Sequence, residues 1–231
     1  MSPAENNTPL NKRSGMPLLA IMSLILGLAA FIGWQSLSSN HASAPSLSDQ
    51  LKDNGAFVFP QPINVTDVPF LNEEGQTVGK NENVGKWSFL FFGYTFCPDV
   101  CPTTLAVMQQ MWIKLTPAMQ SQTQVVLVSV DVERDTPEQL KTYMDYFDPS
   151  FTAFTGKPAS LRSFAAQLNA VYAKVERKNA DGEIDQELGY LMDHSANITI
   201  LDPNGNYFGF IKPPFTAKKM LSVVTAIQTQ P

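Results

Sequence analysis

Two short apolar runs with a helical period between them predict an α/β fold for this 231-residue chain. The runs are 87–94 (WSFLFFGY) and 125–132 (VVLVSVDV). Their length, aromatic content and β-branching suit strands covered on both faces, as in a parallel sheet. Between them, 102–115 (PTTLAVMQQMWIKL) sets Leu105, Met108, Met111, Trp112 and Leu115 along one helical face. This is a β-α-β unit, and its crossover is expected to be right-handed. A second observation is DPNG at 202–205, between the apolar stretches 197–201 and 207–211, which signals a hairpin. The third is a closing helix from Thr216 onward, with Met220, Leu221, Val224 and Ile227 facing inward. An α/β order that ends in an antiparallel hairpin and a helix is the thioredoxin-like plan.

The intervening elements follow in order. Thr136, Pro137 and Gln139 supply an N-cap, a first-turn proline and a capping-box side chain. The helix they open carries Leu140, Tyr143, Met144 and Phe147 on one side. A strand is expected at 151–155, a helix at 159–168 and a strand at 171–175, followed by a polar excursion, RKNADGEIDQEL, at 177–188.

The N-terminal part differs in kind. Residues 15–34 (GMPLLAIMSLILGLAAFIGW) carry no charge, and about 20 residues at 1.5 Å each span a hydrocarbon core of about 30 Å. Lys12 and Arg13 precede the run and Trp34 ends it, so one transmembrane helix is expected, with 1–14 in the cytosol and the rest exported. The alternative is a cleaved signal peptide, for which Ser38, Ser39, Ala42 and Ala44 offer small residues. Residues 35–56 read as a Ser-rich flexible linker holding a solvated His41, and 57–231 as the globular domain.

A net charge of −5 with scattered Lys and Arg provides no field for nucleic acid. Two cysteines cannot form a multi-bridge scaffold, so the fold rests on its apolar core. Both cysteines lie in FCPDVCP, 96–102, just after the first strand and at the mouth of the first long helix. That carboxyl edge of an α/β sheet is where ligands gather. A helix N-terminus favours the thiolate, the form that attacks disulfides and binds metals. Cys97 and Cys101 are one helical turn apart, on the same side. A purely stabilising disulfide is the weaker reading, because so short a loop recovers little chain entropy.

His194, in LMDHS, precedes the hairpin and can return to the cysteine edge. An oxidoreductase of the thioredoxin type would carry a proline there, yet none stands between Pro158 and Pro203. Two thiolates and one imidazole form a soft, three-ligand set; structural zinc calls for four protein ligands, whereas Cu(I) accepts three. Met192 is a candidate thioether ligand or a core residue, and Asp193 either orients the imidazole or is solvated. Gly79-Lys80 and Gly85-Lys86 fit no phosphate-loop spacing. Asp131, Glu133, Arg134 and Asp135 form a mixed-charge turn that pairs internally or serves as a docking surface.

FFGYTFCPDVCPTTL, SVDVERDTPEQLKTY and DHSANITILDPNGNYFGF, behind one N-terminal apolar helix, closely resemble the SCO/SenC family of copper-binding assembly proteins. The resemblance runs from about residue 57 to 227. It implies a thioredoxin-like fold, copper held by Cys97, Cys101 and His194, and a role in maturing the binuclear copper centre of cytochrome c oxidase subunit II. Val132 stands where that family commonly has proline. The expected protein is a copper chaperone anchored in a bacterial inner membrane, its domain in the periplasm. A mitochondrial inner membrane facing the intermembrane space is the alternative location. Competing functions are a thiol–disulfide reductase using Cys97 and Cys101, and a copper or redox sensor. A peroxidase is disfavoured, since Tyr94 and Pro98 stand three residues before the two cysteines where a threonine would be needed.

Overall fold

The computed structural model describes residues 18–38, 47–178, 182–183 and 189–229. His41, with residues 39–46 of the linker, and most of the polar excursion lie outside these. The chain divides into two units, Met1–Ala44 and Pro45–Pro231. Within the first, the described part is one helix, α1 (Leu18–Ser38), 21 residues without an acidic or basic side chain. No helix among the described residues is assigned as a membrane span, so the expected anchor draws its support from the composition of α1 alone.

The second unit runs α2 (Leu47–Asp53), β1 (Ala56–Ile63), β2 (Phe70–Asn72), β3 (Thr77–Val78), β4 (Trp87–Gly93), α3 (Val100–Trp112), α4 (Pro117–Ser121) and β5 (Thr123–Ser129). It continues with α5 (Pro137–Phe147), β6 (Thr152–Thr155), α6 (Pro158–Gln167), β7 (Tyr172–Glu176), β8 (Tyr190–His194), β9 (Ile198–Leu201), β10 (Tyr207–Ile211) and α7 (Ala217–Gln228). Eight strands form a sheet in the order β1-β10-β9-β4-β5-β6-β2-β3. β4, β5 and β6 are parallel at its centre, while β9, β10 and β1 complete one side antiparallel.

The two apolar runs are the central strands. Every residue of β5 and all of β4 after Trp87 are buried, which requires cover on both faces because successive side chains alternate. Gly93 faces Cys101 of α3, and Phe92, one residue earlier and so on the opposite face, meets Phe164 of α6 with ring centroids 6.2 Å apart. Leu105, Met108, Met111 and Trp112 of α3 are buried, as the period required. Thr136 caps α5, its hydroxyl accepting from the Gln139 N–H at 3.3 Å. The Gln139 side chain does not complete a capping box: it donates to Thr95 Oγ1 at 3.2 Å. In α7, Val223 joins Met220, Val224 and Ile227 inside, and Leu221 is only partly covered.

Two regions differ from the sequence reading. Residues 47–53, placed in the linker, form α2, anchored by a fully buried Leu51. The strand expected at 171–175 does not enter the main sheet. Instead, β7 pairs antiparallel with β8 in a ribbon of its own, and 191–194, read as the approach to a strand, is itself strand.

Candidate metal centre

The cysteine loop begins where β4 ends. The Val130 N–H donates to the Gly93 carbonyl at 2.9 Å, which continues the β4–β5 pairing one step, and the chain then turns so that the Cys97 N–H donates to the Tyr94 carbonyl at 3.3 Å. Asp99 occupies the N-cap position of α3 without making a side-chain cap. The helix's free amides are served in part by sulfur, since the Cys101 N–H points at Cys97 Sγ at 3.4 Å. An amide and the positive helix end favour negative charge on that sulfur. The Cys97 thiol is accordingly held far below its ordinary range, first by the Cys101 thiol donating to it, then by His194 and the amides of Asp99 and Cys101. Cys101 moves the other way: its proton is held by that bond to Cys97, by burial and by the neighbouring negative charge. The pair thus sets a half-buried sulfur on which negative charge is favoured beside a fully buried one on which it is disfavoured.

His194 reaches the pair from the end of β8. Its Nε2 lies 3.5 Å from Cys101 Sγ, and its Nδ1 lies 3.2 Å from the Ser195 carbonyl. A carbonyl only accepts, so when the Nδ1 proton is given to Ser195 the Nε2 lone pair is free for a metal ion. The ring is flanked edge-on by Phe91 and Tyr94, with centroids at 5.5 and 6.1 Å. The three donor atoms of Cys97, Cys101 and His194 lie within 4.8 Å of one another. With metal–sulfur bonds of about 2.3 Å and metal–nitrogen bonds of about 2.0 Å, a trigonal ion needs donors about 4 Å apart, so a small adjustment closes the set. Tyr94, Pro98, Leu191 and Ala196 line the mouth, with Asp99 and Asp193 exposed on its rim.

The other sequence candidates fall elsewhere. Met192 packs in the core. Asp193 does not orient the imidazole, because Nδ1 is already engaged by the Ser195 carbonyl. Lys80 bonds Asn64 and Asn206 through its ammonium, and its N–H donates to Asp67, a structural staple with no phosphate cradle. The mixed-charge turn is largely internal. Asp131 and Asp135 are buried, and Arg134 bonds Asp131 at 2.5 Å. Asp135 accepts from the Thr95 N–H, the Thr95 hydroxyl and the Ser129 hydroxyl. Sequence reasoning missed Thr95, Ser129 and Tyr190, which carry no signal until the turn and the cysteine loop are seen side by side.

Gly93 is the closest link between sheet and site. A Cβ there would stand 2.9 Å from Cys101 Sγ and 3.0 Å from Leu127 Cδ1. Gly93→Ala is therefore expected to cost about 1–3 kcal/mol by overpacking. It should lower the melting temperature by about 2–4 °C per kcal/mol, followed by circular dichroism.

A thioredoxin-like domain that presents two cysteines and a histidine at the carboxyl edge of its central strand defines a class of open soft-metal and dithiol proteins. The chain belongs to the SCO1/SenC family, whose description matches residues 63–229. A protein of Stutzerimonas stutzeri named for copper binding is 29% identical, over 92% of this chain and 98% of its own length. Among solved structures, Arabidopsis thaliana ScoI with copper bound is 28% identical with a TM-score of 0.61, covering 71% of this chain and 98% of that one. Apo Sco1 from Thermus thermophilus is 32% identical with a TM-score of 0.64, covering 74% and 95%.

Proposed function

We propose that this protein is a copper chaperone: Cu(I) binds to the sulfurs of Cys97 and Cys101 and to His194 Nε2, and passes to a copper-accepting partner. The observation that carries the reading is the convergence of two thiols and an imidazole within 4.8 Å, with no fourth donor in the cluster among the described residues. Soft sulfur selects Cu(I), and a three-donor site leaves a direction from which a partner's ligand can attack. The copper in the Arabidopsis relative and the name of the Stutzerimonas protein support the choice of metal. Family membership supports cytochrome c oxidase subunit II as the acceptor, its binuclear copper centre being the product. We place the domain in a bacterial periplasm, tethered to the inner membrane through α1. What supports the tether is the 21 uncharged residues of α1, about 30 Å of helix.

Loading the reduced protein with Cu(I) against a chromophoric chelator tests the site. The wild type should bind one equivalent. His194→Ala should bind at least about 100-fold more weakly, more than the loss of an outer partner typically causes. Equal affinity in the two would exclude the imidazole as a ligand. Partition of the full chain into the membrane fraction after alkaline carbonate washing, and its loss on deleting residues 1–44, tests the tether.

The second reading, a dithiol reductase acting on the partner's cysteines, is favoured by the asymmetry of the pair: Cys97, half-buried, has its thiol lowered, and Cys101, buried beside it, has its thiol raised. Reduction of a model disulfide at equal rates by wild type and His194→Ala would favour it.

A further inference from the structure

We propose that Arg134, clasping Asp131 and Tyr190, is a positioning residue for the metal centre: it fixes where His194 stands relative to the cysteine pair. This rests on the reading of Cys97, Cys101 and His194 as the metal site.

His194 and the cysteines belong to separate pieces of structure. The β7–β8 ribbon shares no hydrogen-bond ladder with the eight-stranded sheet, so side chains must hold it in place. Its five paired positions, from Tyr172↔His194 to Glu176↔Tyr190, make it one unit. Tyr190 and His194 are its two ends, about 13 Å apart along an extended strand. At the histidine end, the bonds of Ser195 to Val171 close the ribbon on its own approach. Beneath the ribbon lies a cleft of about 260 Å³, lined by Asp131, Arg162, Tyr172, Tyr190 and Met192 among others. The ribbon is therefore not pressed on to the sheet along its whole length.

Met192 seats the middle of β8 in the core, and the polar tie is at the Tyr190 end. Arg134 donates through Nε to Asp131 at 2.5 Å and through a terminal nitrogen to the Tyr190 carbonyl at 3.3 Å. The Tyr190 hydroxyl returns to the other Asp131 oxygen at 2.7 Å, so the three residues form a closed ring of bonds. The guanidinium also stacks on the Tyr190 ring, with its carbon 3.7 Å from the centroid, and sits 4.8 Å from the ring of Phe96, the residue before Cys97. Asp131 is almost wholly buried, and removing one partner of a buried ion pair is far more costly than removing an exposed one. The neighbouring Lys174–Glu133 pair is exposed and adds little. One residue beyond Arg134, Asp135 holds Thr95 of the cysteine loop. A single turn thus grips the cysteine loop on one side and the histidine ribbon on the other. A fork that meets a carboxylate, a carbonyl and the rings of Tyr94, Phe96 and Tyr190 is a task for Arg that Lys cannot reproduce.

The test is a double-mutant cycle on Cu(I) affinity, by chelator competition with the whole reduced protein. Arg134→Gln is expected to weaken binding about tenfold, within the range for partners that orient a ligand, and Tyr190→Phe to weaken it less. Both losses should vanish in a His194→Ala background, because the clasp acts only through that ring. An equal loss in the His194→Ala background, or none in either single variant, overturns the proposal. A second readout needs no metal. The ring protons of His194 lie between Phe91 and Tyr94, so their chemical shifts in the copper-free protein should move in both variants; unchanged shifts overturn it. If the shifts move while His194→Ala binds copper like wild type, the metal-site reading fails and the clasp stands. Tyr190→Phe, which removes one oxygen, keeps the test valid if Arg134→Gln does not fold.

Discussion

Cys101→Ala is expected to abolish copper retention and to return Cys97 towards ordinary thiol behaviour, whereas Cys101→Ser should abolish the first and keep much of the second. The copper effect follows from the donor set. Without Sγ of Cys101 the site offers one thiolate and one imidazole, and a serine oxygen is too hard to replace sulfur for Cu(I). A loss well beyond about 100-fold is expected in either variant. The acid–base effect separates them. The largest cause of the depressed Cys97 thiol is the hydrogen bond from Cys101, ahead of His194 and the two amides. Serine keeps a donor at that place and alanine removes it. A lower thiol pKa increases the thiolate fraction but weakens each thiolate as a nucleophile, so the shape of the pH profile is more informative than a single rate. Alkylation of Cys97 by iodoacetamide should be nearly flat with pH between about 5 and 8 in wild type and in Cys101→Ser. In Cys101→Ala it should climb with pH across that window, as for a free thiol with pKa about 8.5. Identical profiles in the two variants would show that Cys101 is not the donor. Cys101 itself, buried and with its thiol raised, should stay unmodified throughout in the folded wild type.

What could be read from the sequence tracks how local each cause is. β4, β5, α3, α5, α6 and α7 announce themselves through periods that their own residues carry, and the cysteine pair through its place between β4 and α3. α2 was hidden because a seven-residue helix with Leu51 as its one buried residue leaves no period to see. β7 was expected as a strand, but its partner β8 was hidden for a different reason. The residues of β8 are only partly covered, in the pattern intermediate, intermediate, buried, exposed, intermediate, so neither alternation nor a continuous apolar run marks it. His194 gained its role in the sequence from its place before the hairpin and from resemblance, whereas in the structure it gains its place from the ribbon. The charged turn shows the sharpest limit. The internal pairing read in SVDVERDTP is present as Arg134 on Asp131, but the burial of Asp131 and Asp135 is not legible there, because what permits it is a set of donors elsewhere: Thr95 for one, and Tyr190 for the other, 59 residues on. Gln139 belongs to the same kind of case, its capping role displaced by a bond to Thr95.

That buried carboxylate carries the second large effect. Asp135 joins the end of β5 to the cysteine loop, accepting from Ser129 Oγ at 2.5 Å, from the Thr95 N–H at 3.0 Å and from Thr95 Oγ1 at 2.6 Å. Asp135→Ala strands three donors, the buried Ser129 hydroxyl and two on the half-buried Thr95, each stranded group costing about 1–3 kcal/mol before relaxation. A net loss of about 3 kcal/mol is expected, lowering the melting temperature by about 10 °C, together with weaker Cu(I) binding as the cysteine loop is released. Asp135→Asn keeps the shape and an acceptor, and should cost much less at neutral pH. Its pH dependence is diagnostic. Burial raises the Asp135 carboxyl above its usual range, and the bonds from Ser129 and Thr95 offset this only in part. A carboxyl raised on folding contributes stability that is fully present below the ordinary carboxylate range and is lost as pH rises through the folded value. Wild type should therefore gain on Asp135→Asn as the pH falls from neutral towards about 4, the usual aspartate value. Melting curves of the two proteins, taken pairwise at each pH so that all other carboxylates cancel, measure the gap. A gap that narrows on acidification would mean that the three hydrogen bonds outweigh burial and that Asp135 is a stabilised anion.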